Sequence, residues 1–430
     1  MNYQERLLKV IPGGAHTYSR GYDQYPLNAP QILTRGKGAY IYDSESNKYL
    51  DYGMALRAVN LGYAEDEIDA AAIEQIKNGN NLTRPSMIEL EAAELLVELI
   101  DSVDMVKFTK NGSTAVSAAV KLARAYTGRE LVARCAEHPF FSYDDWFIGS
   151  TSLTRGIPQD TIEKTKMFKY NDIASLEALI AEHSGKFACV VLEPVTTEEP
   201  KDDFLQKVQA LCRANGIVFV LDEMITGFRW HMKGAQHTYG ITPDLCTFGK
   251  AMANGFSVAC IAGKREIMEL GSIEFEGRER VFLLSTTHGA EMCGLGAFVA
   301  TVKFMQQHNV VEHLWSYGRK LTAMMQRKAE EHGIGQSFKV GGIPCSPFYL
   351  TLDSSGVNSL GLRTLFSQEM INNGVLMPWI ALSYRHGEGE LIATEHAIDA
   401  SFGIYRQALN EGVEKYLNGP VIKPVFRKHN

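Results

Sequence analysis

Two residues carry the chemistry open to this chain, Asp222 and Lys250. The stretch between them begins with a short apolar run, Ile217 to Leu221, that ends in two acids, Asp222 and Glu223. A run of this length, rich in Val and Phe and preceded by Gly216, predicts a buried strand of a mostly parallel sheet. Ligands of open α/β sheets gather just beyond the carboxyl ends of strands, which is where Asp222 falls. Pro243 to Phe248 predicts a second such segment, which delivers Gly249-Lys250 and a glycine-spotted turn from Ala251 to Gly255. A lysine amine at one strand end can form a Schiff base with an aldehyde. An acid at a neighbouring end can keep a ring nitrogen protonated.

That pairing suits pyridoxal phosphate. The string Asp222-Glu223-Met224-Ile225-Thr226-Gly227-Phe228-Arg229, with Pro243-Asp244 and Gly249-Lys250 behind it, resembles the pyridoxal-phosphate enzymes of aminotransferase class III. Within that class it looks most like the glutamate-1-semialdehyde aminomutase branch. The resemblance runs from Ile11-Pro12-Gly13-Gly14 to the C-terminal region. It implies a fold-type I transferase of the aspartate aminotransferase kind: α/β, with a large domain on a mostly parallel sheet and a smaller α+β domain. Residues 1–62 would be an N-terminal segment, part small domain and part active-site cover. Residues 63–308 would form the large cofactor domain and 309–430 the C-terminal small domain. A buried acid that merely caps structure, beside a surface lysine, would not explain two motifs in family order.

The same resemblance implies further site residues. Val106 to Phe108 reads as a strand, followed by Thr109-Lys110-Asn111-Gly112-Ser113-Thr114 and a helix from Ala115 to Tyr126. Such a turn places N–H groups and hydroxyls around a phosphate at a helix N-terminus. The cofactor phosphate would therefore meet Gly112, Ser113 and Thr114, although the family usually reads Ser-Gly-Thr-Glu where this chain has Gly-Ser-Thr-Ala. Phe140 would stack on the pyridine ring, with Phe141 the alternative, and Met224 would pack on the opposite face. Glu193, ending the strand 187–195, would lie on the cofactor's O3 side or else order neighbouring loops. Lys250 would hold the resting Schiff base and then move the proton between substrate and cofactor. Thr286, or its neighbours Ser285 and Thr287, would reach the phosphate of the partner subunit's cofactor. The aminomutases read differently just after it, where this chain has His288 and Glu291.

Three arginines are candidates for substrate binding: Arg20 in the N-terminal loop, Arg57, and Arg385 with His386 beside it. Arg57 stands where the aminomutases have a glycine. A guanidinium there could clamp a carboxylate or phosphate, or pair with an acid of the neighbouring subunit. These departures favour an intermolecular aminotransferase, working by ping-pong transfer from an amino-acid donor to an acidic, phosphorylated or sugar-derived carbonyl compound. The alternative is an intramolecular aminomutase.

Composition sets the frame around this chemistry. The 430 residues, 45% hydrophobic and 22% charged, can bury a large core. A net charge of −7 argues against nucleic acid or an anionic membrane as partner. The seven cysteines lie scattered without a C-x-x-C pair, as in reduced cytosolic proteins, and no metal site is expected. MNYQERLLKVIPGG lacks the apolar core of a signal peptide, so the expected setting is the cytoplasm. The expected assembly is a homodimer with active sites at its interface. Among the scaffold elements, residues 3–11, 87–100, 359–373 and 394–416 read as helices and 39–52 as a hairpin. Gly341-Gly342 and Asp353 to Gly356 read as turns.

Overall fold

The computed structural model describes residues 2–274 and 276–429. The strands, in chain order, are β1 (Leu33–Lys37), β2 (Tyr40–Asp43), β3 (Lys48–Asp51), β4 (Met105–Thr109), β5 (Leu131–Cys135), β6 (Thr165–Phe168), β7 (Phe187–Leu192), β8 (Val218–Asp222), β9 (Leu245–Phe248), β10 (Ala259–Gly263), β11 (Phe338–Ile343), β12 (Ser346–Thr351) and β13 (Val375–Leu376). They fall into two compact units. One combines the segment up to Glu65 with Glu312–Arg427, and the other spans Asp66–Val311.

The central unit is built on a seven-stranded sheet in the order β4-β10-β9-β8-β7-β5-β6. Strands β9, β8, β7, β5 and β6 run parallel, while β10 pairs antiparallel with both β4 and β9. Every residue of β7, β8, β9 and β10 is buried. That explains their unbroken apolar runs, since a strand covered on both faces has no solvent side to mark with polar residues. The helix Gly112–Thr127 packs its small residues, among them Ala115, Ala118 and Ala119, into this core. It ends at Gly128 in the left-handed conformation (φ +67°) that glycine adopts without strain.

The terminal unit carries the four-stranded sheet β1-β2-β3-β13 and the hairpin β11–β12. The 39–52 hairpin forms as read, with Tyr40 opposite Leu50. Two local readings are corrected. Gly341 and Gly342 lie inside β11, and the chain reverses between Ile343 and Ser346. The helix expected over 394–416 runs instead from Glu388 to Glu411. Its start is set by Glu390, whose carboxylate accepts from the Gly387 N–H at 3.0 Å, a capping contact that apolar periodicity does not register. Among the described residues no helix is long and apolar enough to cross a membrane.

Candidate functional site

The register of the parallel strands assembles the site. Leu192 lies opposite Leu221, and Asp222 opposite Thr247, so the carboxyl ends of β7, β8 and β9 stand side by side. Just past those ends come Glu193, Asp222 and Gly249-Lys250. Asp222 is buried, and its Oδ1 accepts from the Met224 N–H at 2.9 Å and the Thr247 hydroxyl at 3.1 Å. Burial pushes its carboxyl up to about 6, against the charge of Lys250, which favours the ionised form. Lys250 opens a short 3₁₀ turn with φ +44°, a left-handed conformation for a non-glycine residue of the kind that clusters at working sites. The second acid is used differently. Glu223 accepts from the Thr226 hydroxyl and from the N–H groups of Ala235 and Gln236, both at 2.9 Å, and so brackets the following loop.

The phosphate-loop residues form the first turn of the helix Gly112–Thr127. Asn111, which the sequence reading passed over, is its cap: Oδ1 accepts from the N–H and the hydroxyl of Thr114, at 2.9 and 3.0 Å. An Asn just before a Gly-Ser-Thr helix start is a signal for this role. Ser113 turns its Oγ to accept from the Tyr143 N–H at 3.2 Å. Gly112 and Gly249 both face Met224. A Cβ at Gly112 would stand 2.8 Å from the Met224 sulfur, and one at Gly249 2.6 Å from the same atom. Met224 therefore wedges between the phosphate loop and the lysine turn, with Ala115 and Ala259 around it.

Phe140 is half exposed, its ring edge-on to Phe147 at 5.6 Å, whereas Phe141 is buried in the core. Thr286 lies exposed on an irregular loop. Contacts at Thr287 and Glu291 anchor that loop. Glu291 pairs with Lys110 at 2.7 Å and accepts from Asn80 at 2.9 Å, while the Asn81 amide meets the Thr287 carbonyl at 3.1 Å. His138 is a further residue that the sequence reading did not single out; its Nδ1 accepts from the Glu193 N–H at 2.9 Å.

The three arginines belong to the terminal unit and go different ways there. Arg20 lines a cleft of about 670 Å³ with Tyr22, Tyr25, Asp51, Tyr63 and Trp379. Arg57 donates from Nη1 to the Ser346 hydroxyl at 2.6 Å. Arg385 forms a two-point pair with Glu65, at 2.9 and 2.6 Å. His386 is buried and stacked on Tyr52, with Nδ1 bonded to Ser383 at 2.9 Å.

These groups fit pyridoxal phosphate on their own geometry. The buried acid suits a ring nitrogen, the lysine an aldehyde and the helix N-terminus a phosphate.

The class III aminotransferase family model matches residues 18–346. A 3-aminobutyryl-CoA aminotransferase of Cloacimonas acidaminovorans (strain Evry) is 32% identical over 421 residues, 95% of this chain and 98% of that protein. A glutamate-1-semialdehyde 2,1-aminomutase of Chlorobium phaeovibrioides is 35% identical over 360 residues, 79% of this chain and 81% of that protein. Among solved structures, the FumI protein of Sphingopyxis sp. MTA144 in its PLP internal aldimine form matches with a TM-score of 0.87 at 27% identity, covering 95% of this chain and 97% of that one. An omega-transaminase from Sphaerobacter thermophilus matches with a TM-score of 0.83 at 26% identity, covering 94% and 97%. Strand order, site geometry and likeness agree: this chain belongs to the class III aminotransferases.

Proposed function

We propose that the protein transfers an amino group from an amino-acid donor to a small carbonyl acceptor in two half-reactions, working as a homodimer. Its cofactor is pyridoxal 5′-phosphate, which when bound supplies the electron sink for charge developing at the substrate's reacting carbon. The observation that carries the reading is the placement of Asp222 and Lys250 at the ends of adjacent strands, close enough for the lysine charge to act on the buried carboxyl.

Each side chain then has a task. Asp222 holds the ring nitrogen protonated, and Thr247 keeps its carboxylate oriented. Lys250 would hold the cofactor through Nζ, and the same amine would carry the proton that leaves the substrate carbon. The Gly112 and Ser113 N–H groups would receive the phosphate, joined by the Thr114 hydroxyl if it turns from Asn111, and Thr286 of each copy would serve the phosphate bound by the other. Phe140 and Met224 would fix the ring plane, and Glu193 would lie on its O3 side. Arg20 meets an acidic or phosphorylated group of the substrate, with Arg57 and Arg385 in supporting positions. The name of the relative that acts on 3-aminobutyryl-CoA supports an acceptor whose carbonyl is not adjacent to a carboxylate.

Visible absorption of the purified protein tests this, with amino donors added one at a time. A cofactor band bleached by a donor and restored by a keto acid is the expected result, and Lys250→Ala should slow turnover by at least about 10³-fold. The aminomutase relatives support a second reading, an intramolecular isomerase. Turnover with no added donor or acceptor would establish that reading instead.

A further inference from the structure

We propose that His138 is a positioning residue which, by accepting the Glu193 N–H at Nδ1, sets the end of β7 beside Asp222 and so tunes how tightly the cofactor is held. The inference rests on the cofactor-site reading above but concerns a residue which that reading does not use.

The geometry is specific. β5 ends at Cys135, and its Arg134 lies opposite Val191 of β7, so the segment after β5 runs alongside the end of β7. From there His138 reaches Glu193, which follows Leu192; Leu192 lies opposite Leu221, the residue before Asp222. A second bond grips the next residue: the Tyr170 hydroxyl donates to the Pro194 carbonyl at 2.6 Å. The two rings also pack together, 5.2 Å apart, and Phe141 lies edge-on to the imidazole at 5.9 Å. Tyr170 is tied back to the same segment by its N–H, which the Glu137 carboxylate accepts at 2.9 Å. Glu193-Pro194 is thus bracketed by two side chains that hold each other in place.

The imidazole is suited to a fixed role rather than to proton transfer. It is 1% exposed, and burial, aided by the Arg134 charge, pushes it down to about 3. It therefore stays neutral across the working range of most enzymes. Since Nδ1 accepts, the proton sits on Nε2, which has no hydrogen-bond partner among the described residues. The charged and titratable groups around it, Arg134, Cys135, Glu137, Tyr170 and Glu193, leave the Glu193 N–H as the contact that selects the tautomer.

Leucine and asparagine have nearly the same shape, but only asparagine places an acceptor where Nδ1 stands. The test compares His138→Leu and His138→Asn for pyridoxal phosphate affinity and for the visible circular dichroism of the bound cofactor. His138→Leu should weaken affinity about 10-fold and change the dichroic band. His138→Asn should stay within about 3-fold of the parent. Equal affinity in all three proteins, or equal loss in both variants, overturns the proposal. If the leucine variant does not fold, ¹⁵N spectra of the histidine-labelled parent decide. A neutral Nε2–H ring from pH 5 to 9 is expected, and an Nδ1–H ring or a titration near 6.5 overturns it. A parent that binds no pyridoxal phosphate would instead sink the cofactor-site reading itself.

Discussion

Asp222 shows how a side chain's surroundings decide what it can do. In water an aspartate is ionised at neutral pH at no cost. Buried at the end of β8, this one has its carboxyl raised from 3.8 to about 6. A raised acid binds its proton more tightly in the folded chain than in the unfolded one. Its contribution to the cofactor-free protein is therefore full below about pH 4 and is lost as pH rises through 6, a change on the order of 3 kcal/mol. Urea unfolding of that form between pH 4 and 7 should show the decline, and Asp222→Asn should flatten it. With the cofactor bound, a protonated ring nitrogen beside the carboxylate should offset the same loss. The asparagine variant should keep the fold but lose at least about 10²-fold in turnover, since it cannot hold that proton.

At the scale of an element, the turn Met54–Arg57 stands out. All four residues have positive φ, from +39° to +67°, and none is glycine. A left-handed turn costs L-residues about 1–2 kcal/mol each, so neighbouring contacts must hold it. They do so through Asp51, whose carboxylate accepts from the Gly53 and Met54 N–H groups at 2.7 and 2.9 Å and from the Tyr63 hydroxyl at 2.6 Å. The same hydroxyl accepts from the Ala55 N–H at 2.8 Å. Arg57 holds φ +67° with its guanidinium on Ser346. Ala55→Gly should raise stability by up to about 1 kcal/mol in denaturant melts, because the backbone strain relieved outweighs the loss of one half-buried methyl group. Tyr63→Phe should lower it by about 1–3 kcal/mol, because a buried carboxylate and an N–H lose their partner. If both variants matched the parent, the turn would not be strained.

For the whole molecule, the expectation is a dimer in which each copy completes the other's site. The central unit exposes Ile73 and Ile76 on the helix Asp66–Lys77, Leu82 after it, and Met87 and Leu90 on the helix Met87–Leu99. Apolar residues exposed together mark a surface that association would cover. Sedimentation should find the parent as a dimer, and the double variant Met87→Lys with Leu90→Lys should shift it toward monomer with loss of turnover. A variant that stayed dimeric would place the contact elsewhere.

The sequence by itself determined the chemistry and the framework that bears it. Unbroken apolar runs such as Phe187–Leu192 and Val218–Leu221 are legible because burial on both faces leaves no other composition possible. Asp222 and Lys250 are legible because strand ends are where such sheets keep their ligands. Only the tertiary structure decided how the neighbours divide their work. Glu223, adjacent to Asp222, serves a loop; the space beside Gly112 is taken by Met224, over a hundred residues away. His138 reaches Glu193 across strands, and Arg385, though exposed, pairs with Glu65. These are contacts between residues far apart in the chain, and local pattern carries no record of them. They exist only once strand order and register bring the segments together.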